Sequence, residues 1–202
     1  MLGSINPLGE RGRHSRWGVT VLAFMVGSVA AGSAVGAALG TAGTLAIGAV
    51  SPAVRAAMLG VAVLAGAAWD VGSARRGPRM HLPSPRRQVN EDWLNTYRGW
   101  VYGVAFGFQL GLGVATIVTT SAVYSTLAGA ALTASWWGGL VVGATFGMAR
   151  AAPVLAGAGI RHPRDLLALD DRLRRWEPPS RVAAVVLQAG VAAAALGAAA
   201  AR

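Results

Sequence analysis

Residues 18–40 read GVTVLAFMVGSVAAGSAVGAALG, a run without a charged side chain. A helix needs about 20 apolar residues to cross a hydrocarbon core of about 30 Å. This run meets that length, and four other runs reach it or come close. The five predicted spans are Gly18 to Gly40, Pro52 to Val71, Trp100 to Ala128, Trp136 to Gly157 and Val182 to Ala200. The sequence therefore predicts an all-α polytopic integral membrane helical bundle, with residues 1–202 as a single transmembrane domain.

The composition agrees with a membrane protein. Only 13% of the 202 residues are charged, whereas a soluble domain carries about a quarter. The net charge of +10 comes from arginine alone, since lysine is absent. These arginines fall in short clusters between apolar runs rather than on one polar face, so we expect no nucleic-acid partner. Cysteine is also absent, which excludes disulfides and thiol redox chemistry.

The arginine clusters predict the topology. They precede the first span and occupy residues 72–98 and 158–181, whereas the intervening connections, Thr41 to Ser51 and Leu132 to Ser135, hold none. Cytoplasmic loops collect positive charge, so we expect a multi-pass protein of the inner cell membrane with these loops in the cytoplasm and the C-terminus outside. Residues 72–98 are also rich in proline, which predicts an irregular loop.

The loop over residues 158–181 has a helical pattern. Apolar side chains recur at helical spacing before Pro178 and Pro179: Leu166, Leu169, Leu173 and Trp176. This pattern predicts an amphipathic helix that lies on the membrane surface and ends at the two prolines, with its arginines on anionic lipid. A docking helix for another subunit has the same pattern, and that alternative stays open.

Small residues form ladders at four-residue spacing. They are Ser28, Gly32, Gly36 and Gly40 in the first span, Gly99, Gly103, Gly107 and Gly111 in the third, and Gly139, Gly143 and Gly147 in the fourth. Residues four apart share a helix face, and a face without side chains lets another helix approach closely. We expect closely crossed helices, and these faces are also candidate contacts for a homo-oligomer or other membrane subunits.

The third apolar run is too long for one perpendicular helix. From Arg98 to Ala130 it would reach about 50 Å, so the helix either tilts strongly or breaks near Gly111-Leu112-Gly113. Interrupted helices with polar groups at mid-depth form sites in many transporters. The candidate polar path comprises Asn6, Gln109, Thr116, Thr119, Thr120 and Tyr124. The alternative is that the hydroxyl groups bond to carbonyls of their own helix.

Charged residues inside the predicted spans are candidates for function. Asp70 and Arg150 are both near the predicted cytoplasmic end, so they are a candidate ion pair, with simple solvation as the alternative. The three histidines lie in loops, and no catalytic triad or phosphate-binding loop is present. We therefore expect no metal, no cofactor and no enzymatic chemistry.

Two segments resemble the cytochrome c biogenesis and DsbD-like transmembrane family: Leu2 to Leu8 with its Arg-rich continuation, and Tyr102 to Gly111 with its Thr-rich continuation. The resemblance implies inverted three-helix repeats, each opening with a broken helix that carries proline and a redox cysteine. Ser4 to Leu8 would match the first broken helix and Leu110 to Thr120 the fourth. Without cysteine, the thiol relay of that family cannot operate here.

The direction of the repeat and the conformation of the first eight residues each have two alternatives. A parallel repeat of hairpins that begin near Arg16-Trp17 and Arg98-Trp100 fits the sequence nearly as well as the inverted one. Residues Met1 to Leu8 form either a half-span or a flexible tail.

Two functions are consistent with these features. The first is a carrier or permease-like scaffold that uses the candidate polar path. The second is a non-catalytic subunit that anchors or assembles a larger membrane complex. A carrier predicts a polar cavity that reaches mid-membrane, whereas a subunit predicts a dry, filled bundle with a large apolar contact to another chain.

Overall fold

The computed structural model describes residues 5–76, 96–113 and 120–201, and these residues form helices without any strand. The helices are α1 Pro7–Gly12, α2 Trp17–Ile47, α3 Pro52–Arg76, α4 Gly99–Gly111, α5 Ala122–Leu132, α6 Trp136–Ala151 with a 3-10 continuation Ala152–Gly159, and α7 Pro163–Ala200. Within these described ranges, four helical segments are long and apolar enough to cross a membrane: α2, α3, α6 with its continuation, and α7. The predicted helical membrane bundle is confirmed at this level.

The third predicted span is two helices rather than one. α4 ends at Gly111 and α5 begins at Ala122, so the predicted break is confirmed and a single tilted helix is excluded. Gly113 has a φ of +76°, a left-handed conformation that ends helices and that glycine adopts without steric cost. The backbone N–H groups of Leu112 and Gly113 donate to the carbonyls of Phe108 and Leu110, which closes the last turn of α4.

The amphipathic segment and the fifth predicted span form one continuous helix, so the prediction that a helix ends at Pro178 and Pro179 is wrong. α7 passes through both prolines. A proline fits the φ of a helix but removes one N–H donor, and the surrounding residues are exposed, which lets water satisfy the carbonyls that lose their donors. An ion pair of 2.7 Å between Glu177 and Arg181 also bridges the two prolines.

α2 is the central helix, and its small residues pack directly on those of α6. A Cβ atom built on Gly36 would collide with the carbonyl oxygen of Gly139, and one built on Gly139 would collide with that of Gly36. Gly32 and Gly143 have the same reciprocal relationship. The two helices therefore run antiparallel in backbone contact, which confirms the packing predicted from the ladders.

The opposite side of α2 packs on α4 in the same way. Each glycine of α4 contacts a backbone carbonyl of α2: Gly103 contacts that of Thr20, Gly107 that of Phe24, and Gly111 that of Ser28. The residue numbers rise together, so α2 and α4 run parallel and their N-termini lie at the same end of the bundle.

α3 and α7 form a second antiparallel pair. Gly60 of α3 lies against Leu196 of α7, and Asp70 of α3 is hydrogen-bonded to Gln188 of α7. α2 and α3 thus pair with α6 and α7 in the same order but in opposite directions.

Candidate functional site

The interruption between α4 and α5 brings polar groups together inside the bundle. Asp70 of α3 lies at the N-terminal end of α5, where the backbone N–H of Ser121 donates to both carboxylate oxygens at 2.9 and 3.1 Å. The Ser121 hydroxyl donates to the same carboxylate at 2.9 Å. A helix N-terminus carries partial positive charge, so the carboxylate compensates the charge that the interruption creates.

Gln188 of α7 completes this arrangement. Its side-chain amide donates to Asp70 at 3.3 Å and to the Ser121 hydroxyl at 3.1 Å. A Cβ atom on Gly66 of α3 would overlap the hydroxyls of Ser121 and Ser125, so glycine at this position lets α5 approach. We call Asp70, Ser121 and Gln188 the Asp70 cluster, which connects three helices.

Arg150 of α6 holds the other side of the interruption. Its guanidinium donates to the carbonyl oxygen of Gly113 at 3.2 Å and lies 5.5 Å from the centroid of the Phe146 ring. A helix C-terminus carries partial negative charge, so a cation here compensates the end of α4. The salt bridges found in the described ranges do not include the predicted pair of Asp70 and Arg150. Instead, Asp70 lies at the start of α5 and Arg150 lies at the end of α4.

The residues of the candidate polar path have separate environments. Asn6 is buried, and its side-chain oxygen accepts the backbone N–H of Gly9 at 2.8 Å, which caps α1. Gln109, Thr120 and Tyr124 are half-buried in or beside α4 and α5. Thr116 and Thr119 lie outside the described residues. Asn6 therefore caps α1, whereas the other described residues of the candidate polar path lie in or beside α4 and α5.

The space where four of the described helices meet near Gly111 is nearly filled. A cavity of about 10 Å³ lies between α2, α4, α5 and α6, with Gly36, Gly111, Thr126 and Phe146 among its lining residues. That volume is about the minimum that one water molecule requires. The described helices that line this cavity thus leave room for about one water molecule between them.

A second buried cluster surrounds Glu10, which the sequence analysis did not single out. Glu10 is 0% exposed, although it belongs to the short helix α1. Its carboxylate accepts hydrogen bonds from the hydroxyls of Thr20, at 2.7 Å, and Tyr102, and from the guanidinium of Arg13 at 3.0 Å. These contacts attach α1 to α2 and α4. We call these four residues the Glu10 cluster.

The described features define an all-helical, multi-pass membrane protein with an interrupted helix whose ends are held by opposite charges. The chain matches the family described as cytochrome c biogenesis protein transmembrane region over residues 2–197, and it belongs to that family. The predicted resemblance is confirmed. This member has no cysteine, so it cannot support thiol redox chemistry.

A curated relative is the methylamine utilization protein MauF of Methylophilus methylotrophus. The two are 31% identical over 157 residues, which cover 75% of this chain and 53% of the relative. The chain thus spans about half the length of that relative. No solved structure matches the chain.

Proposed function

We propose that this protein is a thiol-independent member of its family that acts as a non-catalytic membrane subunit and holds a larger complex together. The observation that carries the proposal is the close backbone contact of α2 with α4 and α6. Its glycines meet α4 and α6 through backbone atoms, and the adjoining cavity holds about 10 Å³. A filled bundle of this kind is suited to holding a fixed surface rather than to passing a solute.

The surface for a partner is proposed on α3 and α7. Only 17% of the most apolar window of each helix is buried, against 39% for α2. Gly190 and Gly197 of α7 have open space around them, unlike the glycines of α2 that are in contact with α6. A second membrane chain could approach α7 closely at these two positions.

The proposed topology has five crossings in an inverted repeat. α4 and α5 together form the third crossing, and α1 is the remnant of a first broken helix. The antiparallel pairs of α2 with α6 and α3 with α7 support this repeat. The arginine-rich segments would face the cytoplasm and the C-terminus the outside of an inner membrane.

Purification of the full chain from its own membrane in mild detergent, followed by intact-mass measurement, tests the subunit proposal. We expect a second protein chain in stoichiometric amount. A double variant, G190L/G197L, should lose that chain, whereas G18L/G72L, at two other uncrowded glycines, should keep it. Recovery of the wild type only as a monomer or homo-oligomer would overturn the proposal.

The second candidate function is a carrier, and the interrupted helix is the observation that favours it. The Asp70 cluster and Arg150 surround a helix break of the type that carriers use as a site. Replacing Thr119 and Thr120 together by Val removes two hydroxyls at similar volume. If a cellular phenotype that depends on this gene is unchanged in T119V/T120V, these hydroxyls are not part of a transport site.

A further inference from the structure

A basic cleft lies between the N-termini of α2 and α4, beside the Glu10 cluster, whose members Arg13 and Thr20 also line it. Its volume is about 570 Å³. The basic side chains that line it are Arg13, His14, Arg16 and Arg98, and the phenol of Tyr97 lines it as well. The cleft forms because the two helices run parallel and begin at the same end of the bundle.

Two arginines of the cleft are available to a ligand. Arg16 and Arg98 are the N-cap residues of α2 and α4, and neither side chain caps its helix. Neither guanidinium has a hydrogen bond or an ion pair with any residue that the structure describes. The first turns of both helices also lack acidic residues. The nearby carboxylate of Glu10 accepts hydrogen bonds from the hydroxyls of Thr20 and Tyr102 as well as from Arg13.

The helix ends add to this positive field. The first N–H groups of a helix have no carbonyl partner within that helix, and its N-terminus favours an anion. Gly99 and Trp100, the first two residues of α4, both line the cleft. Two arginines without a partner among the described residues, together with the start of a helix, are an arrangement that recognises phosphate.

One wall of the cleft is apolar and continues along the outside of the bundle. Val19 and Trp100 line the cleft and are 49% and 54% exposed. Further along the same helices, Leu22 and Val104 are also exposed. Tryptophan is enriched at the level of lipid headgroups, so the cleft combines a polar end with an apolar surface for acyl chains.

We propose that this cleft binds the phosphate of one anionic phospholipid, with Arg16 and Arg98 as the phosphate-binding residues and the exposed faces of α2 and α4 as the acyl-chain surface. A phospholipid matches both parts of the site, whereas free phosphate matches only the basic part. This site is independent of the proposed subunit function.

Native mass spectrometry of the full chain, titrated with phosphatidylglycerol or phosphatidylcholine, tests the proposal. We expect one tightly held phosphatidylglycerol. An arginine near a membrane surface contributes about 1 kcal/mol, so R16Q and R98Q should each weaken binding about fivefold and R16Q/R98Q about 30-fold. The control R172Q/R175Q removes the same charge from exposed positions of α7 and should leave the affinity within about twofold.

Three results would overturn the proposal. The first is that the control weakens binding as much as R16Q/R98Q does. The second is that phosphatidylcholine is retained as well as phosphatidylglycerol. The third is that inorganic phosphate binds in an Arg16-dependent manner and phosphatidylglycerol does not bind. The last result would identify free phosphate as the occupant. If the double variant does not fold, the two single variants decide the question.

Discussion

Asp70 and Arg150 hold opposite ends of the same interrupted helix rather than each other. The carboxylate accepts the N–H of Ser121 at the start of α5, and the guanidinium donates to the carbonyl of Gly113 just after α4. Each charge therefore compensates the partial charge of a helix end inside the membrane-embedded bundle. This arrangement resembles the discontinuous helices of membrane transporters, in which helix ends inside the bilayer require polar partners.

A double-mutant cycle distinguishes this arrangement from an ion pair. D70N and R150Q should each lower the free energy of unfolding by about 1–2 kcal/mol, because each removes a charge from a helix end. The effects in D70N/R150Q should add within about 0.5 kcal/mol. Unfolding in detergent by SDS titration provides the measurement, with D171N at an exposed position as the control. A coupling free energy well above that limit would indicate that the two charges pair directly.

The glycine contacts of α2 predict that the stability of the protein falls steeply as side-chain volume at these positions increases. G36A places a methyl group against the carbonyl oxygen of Gly139, and such overpacking costs about 1–3 kcal/mol. G190A adds the same methyl group where α7 has open space and should not lower stability. Melting temperatures of the two variants in the same detergent give the comparison. Equal melting temperatures would contradict the packing of α2 on α6.

The Glu10 cluster predicts that substitution of Glu10 lowers the free energy of unfolding more than is usual for an acidic residue in a charged segment. Glu10 is fully buried, and E10A leaves the hydroxyls of Thr20 and Tyr102 without this acceptor, at a cost of about 1–3 kcal/mol for each. Y102F, which removes a single hydroxyl, should cost about 1–3 kcal/mol. E177A breaks an exposed ion pair on α7 and serves as the control with little expected change. A wild-type unfolding curve for E10A would show that α1 does not depend on this cluster.

The buried hydroxyl of Ser28 tests the contact of α2 with α6 at a single hydrogen bond, with a smaller expected change in stability. It donates to the carbonyl oxygen of Gly147 at 2.8 Å and lies where α2 contacts both α4 and α6. S28A should lower the free energy of unfolding by about 1 kcal/mol. T41A removes a hydroxyl that bonds within the exposed part of α2 and should have a smaller effect. SDS titration of the two variants makes the comparison, and a larger loss for T41A would contradict the buried contact.

The sequence predicts those parts of the structure that follow from local spacing. The glycine ladders and the break after Gly111 are visible because residues four apart share a face and because Gly113 permits a left-handed turn. The partners of Asp70 could not be predicted, since Ser121 and Gln188 are 51 and 118 positions away in the chain. The burial of Glu10 could not be predicted either, because charged and polar residues follow it through Arg16, which is the usual pattern of an exposed segment.

The error at Pro178 and Pro179 has a different origin. Two adjacent prolines are a strong signal for a helix end, but that signal assumes that the lost hydrogen bonds cannot be replaced. In the exposed part of α7 they are replaceable by water, and the ion pair between Glu177 and Arg181 favours the helical backbone across them.

The proposed subunit function requires a bundle that is filled rather than traversed by a polar path, and cysteine accessibility measures whether such a path exists. The chain has no native cysteine, so single variants at Gln109, Thr120 and Tyr124 can be treated with a membrane-impermeant maleimide from either side. We expect no labelling of these three, while T96C and S51C, at exposed positions, react from opposite sides of the membrane. Labelling of Q109C, T120C or Y124C from either side would show a water-filled path and contradict the proposal.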